Sequence, residues 1–141
     1  MAEGTEPTLQ QGPNLLVQLR AQFNTPLAVC KVSAGAEATN VRRITIQVVD
    51  RLKRDAGGRW VVTVWLAATS GGAPSATGNT VAAVSGTTIL STITANAAYR
   101  LITDANGQAQ IDVTIAGAAS RYVGSIVEGK VRESAEITWG A

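Results

Sequence analysis

Histidine is absent from this chain, and cysteine occurs once, at Cys30. Without histidine the commonest general base and the commonest metal ligand are both missing. Ser-His and Cys-His nucleophile systems go with them. A lone thiol forms no disulfide within the chain and offers too few of the usual ligands for a zinc site. Cys30 therefore reads as a small buried hydrophobe, and one thiol fits synthesis in a reducing cytoplasm. Aromatic residues are scarce at 4%, leaving few platforms for base stacking. What is plentiful is Ala, Val, Ile and Leu within a 45% apolar content, a mixture that suits tightly packed sheets.

Charge is also thin. Twelve basic residues face ten acidic ones, a net charge of +2 with a sequence pI near 9.0. Nucleic-acid binders gather basic residues on one face, and here they are dispersed, so no specific nucleic-acid partner is expected. The one basic cluster is Arg51, Lys53, Arg54 and Arg59, with Asp50 and Asp55 beside it. It reads as a solvated hairpin tip. No apolar run approaches the ~18 residues needed to span a bilayer, and residues 1–10 lack the basic start and apolar stretch of a secretory signal. No membrane partner is expected.

Alternation of apolar and polar residues marks the strands. In residues 42–50, RRITIQVVD, one face carries Ile44, Ile46 and Val48. In residues 60–69, Val62, Val64 and Leu66 take the core side, and Val61, Thr63 and Trp65 take the other. Further strands are expected at 27–32, 80–84, 87–94, 99–103, 121–127 and 134–139. Asn106-Gly107 is a hairpin signal, since a tight turn between twisted strands calls for positive φ. The strand leaving it puts Ala109, Ile111, Val113 and Ile115 on one side. Seven to nine short strands with turns every ~8–12 residues describe an all-β, antiparallel β-sandwich. Residues 41–141 are assigned to it, and residues 1–40 to an extended N-terminal arm. Within the arm, NLLVQLRAQFN (14–24) alternates Leu15, Val17, Leu19, Ala21 and Phe23 on one face, as a strand would. A helix grouping Leu15, Leu16, Leu19 and Phe23 is the alternative.

Chemistry-bearing constellations are few. Asp50, Asp55, Asp104 and Asp112 fall at turns or on an outward face, where they act as solvating groups. Asp104-Ala105-Asn106-Gly107 has the opening of a calcium loop without the rest of its ligand spacing, so a turn is the better reading. The glycines are followed by no Gly-Lys-Ser/Thr and make no phosphate cradle. No catalytic residue, cofactor or metal is expected.

Three stretches carry a likeness: RWVVTVWLAATSGGAPSATGN, TDANGQAQIDVTIAGAASRYVGSIVEGKV and SAEITW. Together they resemble small virion proteins of tailed bacteriophages, of the head-decoration or head-fibre type. The resemblance implies an immunoglobulin-like or jelly-roll-like sandwich on the virion head surface. It also implies capsid decoration across subunit boundaries, with the major capsid protein as partner and a homo-oligomer, a trimer favoured. The segment TDANGQAQIDVTI also looks like the immunoglobulin-like repeats of invasin-type adhesins, which implies the alternative of a receptor- or carbohydrate-binding module on a head fibre or tail. No export signal or tandem copy accompanies it here. From the residues themselves, the interface candidates are Leu15, Val17, Leu19 and Phe23 of the arm, Trp65 on its strand face, and Arg51, Lys53 and Arg54 at the charged turn.

Overall fold

A computed structural model describes residues 28–140. Ten strands and no helix occur among the described residues: β1 Ala28–Ala34, β2 Val41–Asp50, β3 Val61–Ala67, β4 Asn79–Ala83, β5 Thr88–Thr94, β6 Ala98–Ile102, β7 Gln108–Ile115, β8 Ala119–Val127, β9 Lys130–Glu133 and β10 Ile137–Trp139. They form two antiparallel sheets, a β-sandwich as the alternation predicts. One sheet has the order β1-β2-β7-β4. The other runs β9-β8-β3-β6-β5, and β10 joins it by pairing with β8 beyond β9.

The period of two decides what faces inward. Ile44, Ile46 and Val48 of β2 are fully buried, as are Val62, Val64 and Leu66 of β3 and Ala109, Ile111, Val113 and Ile115 of β7. The β2 and β7 side chains come from one sheet and those of β3 from the other, where Leu101, Val123 and Val127 join them in a single core. Each such burial stabilises by roughly 1.5–3 kcal/mol before conformational entropy is counted. Trp139 is the largest fully buried side chain, and its indole N–H donates to the Val113 carbonyl at 3.2 Å, tying β10 across to β7.

Three expectations are corrected. The arm does not extend to residue 40, because Ala28–Ala34 pairs with β2 along its whole length, from Ala28 opposite Asp50 to Ala34 opposite Ile44. The sandwich therefore begins no later than Ala28. The Asn106-Gly107 turn is tight, with Gly107 at φ 76°. It joins β6 in one sheet to β7 in the other, so it is a corner between layers and not a hairpin. The strand expected over 134–139 is shorter, β10 at Ile137–Trp139, and an unexpected strand, β9 at Lys130–Glu133, precedes it across a break at which the Ser134 hydroxyl accepts from the Val123 N–H at 2.9 Å.

Candidate interaction surface

Of the four carboxylates raised as candidates, Asp50, Asp104 and Asp112 have structural occupations. Asp104 Oδ1 accepts from the Asn106 and Gln108 N–H groups at 2.8 and 3.0 Å, closing the corner turn on itself. Asp112 holds Arg43 through two hydrogen bonds of 2.9 and 3.1 Å, which lowers its pKa below the usual carboxylate range. Asp50 accepts from the Leu52 and Arg54 N–H groups and pairs with the Arg54 guanidinium at 3.0 Å; the Arg54 backbone bond is the main cause of its lowered pKa. Glu133 is lowered likewise by the Gly71 N–H and the Ser70 hydroxyl, both at 2.7 Å. Asp55 lies in a bridge that folds the loop back on Val49. Cys30 is buried in the core beside Ser125, and burial raises its thiol pKa. Among the described residues no three His, Cys, Asp or Glu side chains converge as metal ligands would.

The buried polar groups also serve the fold. Asn79 donates to the Ser75 and Asn96 carbonyls and accepts from Arg121 Nε at 3.0 Å, while Arg121 reaches the Thr77 carbonyl at 2.6 Å. This network pins the long uncharged loop between β3 and β4 to the sandwich. Thr103 accepts from the Trp60 N–H at 2.8 Å and locks the start of β3.

What remains open is surface. On the outer face of the six-stranded sheet one row of neighbours runs Val131, Ile126, Thr63, Arg100 and Ser91 across β9, β8, β3, β6 and β5. The next row contains Gly124, Trp65 and Ala98. Val61 and Val131 are 47% and 52% exposed; Ile126, Tyr122 and Trp65 are half-buried. Trp65 lies flat over Gly124, where any Cβ would run into the indole. The missing side chain of one strand thus makes room for the large one of its neighbour.

Of the residues singled out from sequence, Trp65 sits on this face. Arg51, Lys53 and Arg54 sit elsewhere, on the loop that leaves β2, with Leu52 70% exposed between them. Arg54 is engaged by Asp50, and Lys53 adopts φ 63° at the tip. The structure does not bring this loop to Trp65, which lies four residues up β3 from Val61, about 13 Å at strand rise. Leu15, Val17, Leu19 and Phe23 lie outside the described residues. Sequence reading passed over Ile126, Val131 and the apolar residues of β5. For β5 the available signal was the stretch between Arg59 and Arg100, which contains no Asp, Glu, Lys or Arg; Ile126 and Val131 lie outside it.

No protein-family profile matches the chain, and no curated protein matches it by sequence. Among solved structures, two of the β-glucuronidase of Parabacteroides merdae, one with glycerol in the active site, are similar to it at TM-scores of 0.47 and 0.45. Identity is 15% in both; the likeness covers 82% of this chain and only 12% of the glucuronidase chain, so it says nothing of activity.

Proposed function

We propose that this chain is a non-enzymatic structural protein of a bacteriophage virion that decorates and stabilises the assembled head. It binds the outer surface of the shell across subunit boundaries, with the major capsid protein as partner. It acts as a homo-oligomer on the virion surface after synthesis in the host cytoplasm. One observation carries the reading: an outer sheet face on which Val61, Trp65, Ile126 and Val131 stand on a rigid ladder. Aromatic residues are enriched at the centres of protein interfaces. Side chains already fixed by strand geometry lose little conformational freedom when they dock, so more of the buried area appears as affinity. The carboxylates support the non-enzymatic part, because Asp50, Asp104, Asp112 and Glu133 are committed to backbone amides or arginines.

A ligand that binds the assembled shell but not its dissociated subunits stabilises the shell by mass action, about 2.7 kcal/mol per site at a hundredfold excess over Kd. The test heats shells lacking this protein with and without a saturating amount of it, following disruption by light scattering. The reading requires a higher disruption temperature with the protein present. An unchanged transition, or a hit on a glycan array by protein with no affinity for shells, removes it.

A further inference from the structure

A sandwich has four sheet edges, and edges are hazards that proteins blunt with charge, proline, bulges or a covering group. Three of the four here are blunted by side chains. β1 carries Lys31, and β9 carries Lys130, Arg132 and Glu133. The β4 edge is covered: the Val81 N–H, which a new strand would need, donates to Asn96 Oδ1 at 3.1 Å, and Asn96 is itself held by the Tyr99 hydroxyl at 2.7 Å.

β5 is different. All seven residues, TILSTIT, are exposed, with Ile89 at 39%, Leu90 at 50% and Ile93 at 56%. It has no charge, and among the described residues it has no strand partner beyond β6. Two register shifts interrupt its pairing with β6, and they fall at Leu90 and Ile93, two exposed apolar residues of the strand. Bulges re-aim side chains, and here they turn apolar ones toward solvent.

The order of residues says what fits. Read backwards, TILSTIT is TITSLIT, nearly the same string. An antiparallel copy related by a two-fold axis at Ser91 would set Thr88 opposite Thr94, Ile89 opposite Ile93 and Ser91 opposite itself. Those are the β-branched and hydroxyl pairs that stabilise antiparallel neighbours. In that register the bulged Leu90 lies opposite Thr92 of the second copy and the bulged Ile93 opposite its Ile89. No like charges meet, because none are present. We infer that β5 is the contact through which two copies of this chain join, edge to edge, into one continuous sheet across a two-fold axis.

The contact differs from the three-fold arrangement that the resemblance implies, since a self-complementary patch closes as a pair. It rests on the oligomeric part of the function proposed above and not on the shell. Failure to bind shells leaves it standing, and a monomer that still binds shells removes it alone.

The test uses the full chain in a Cys30→Ser background. Directly opposed residues in an antiparallel pair have Cα atoms about 4.5–5.5 Å apart, within disulfide range, so Ser91→Cys should cross-link to its own copy under mild oxidation. Val131→Cys, exposed at the opposite edge, is the control. In analytical ultracentrifugation the unmodified chain should dimerise with rising concentration, and Leu90→Lys with Ile93→Lys should remain monomeric. Both lysines replace exposed residues, so circular dichroism should show an unchanged fold. Three results would each overturn the inference. One is a monomer at every concentration, and another is cross-linking of the Ser91→Cys variant no faster than that of the Val131→Cys control. The third is a dimer that survives the double lysine variant but is lost when residues 1–27 are removed.

Discussion

Trp139 and Trp65 stand on different faces of the same sheet, and substituting each should give different losses. Trp139 is 1% exposed and hydrogen-bonded to Val113. Trp139→Ala should cost ~3–5 kcal/mol of unfolding free energy, the range for an aromatic removed from a core, read as a shift in urea midpoint. Trp65→Ala uncovers Gly124 on the outer face and should leave stability closer to that of the parent while weakening shell binding. Sequence alternation placed Trp65 outside the core correctly, because Val62, Val64 and Leu66 claim the other side. It could not show Gly124 beneath the ring, since that depends on which strand lies next to β3. Acid and alkali act on different residues. Asp50, Asp112 and Glu133 have lowered folded pKa values, so the stability they contribute is present above their unfolded values and is lost as pH falls through the folded ones. The raised Cys30 thiol works in the other direction: its share is intact below the unfolded thiol value, about 8.5, and declines as pH rises past it. A urea midpoint measured against pH should fall at both ends, and Cys30→Ala should remove the alkaline decline alone.

At the scale of elements, the long alternating runs were legible and the pairings were not. β2, β3 and β7 appear in the sequence with their inward faces already correct, because each is buried on one side only and the period of two is undiluted. β9 is four residues long and exposed throughout, so it has no alternation to read. The Asn-Gly corner differs from the expected hairpin for a related reason. Turn chemistry reports a reversal of the chain, and the same positive-φ glycine serves a hairpin or a crossing between sheets; Gly107 is fixed by the crossing, where a Cβ would strike the Ala56 carbonyl. β1 gives the sharpest consequence. Compared with a chain beginning at Ala28, one beginning at Val41 loses a complete edge strand along with buried Ala28 and Cys30. Its urea midpoint should drop, with a loss on the order of several kcal/mol.

Taken whole, the molecule keeps one long stretch, between Arg59 and Arg100, free of charged side chains. Charged side chains are spread over most strands and loops, among them Lys31, Arg42, Arg100 and Arg121, while β3 to β5 and their connections carry none. That stretch leaves the β5 edge without charge, whereas the outer sheet face carries Arg100 beside Thr63 and Glu133 opposite Gly124, and the account of function depends on the apolar residues between them. The most direct measurement is co-sedimentation with shells that lack this protein, comparing the unmodified chain with Val61→Lys/Val131→Lys. Both substitutions replace exposed valines, so the fold should survive them. The unmodified chain should pellet with shells to saturation, and the double variant should bind at least tenfold more weakly. Equal binding by both proteins, or no binding by either, would contradict the outer sheet face as the docking surface.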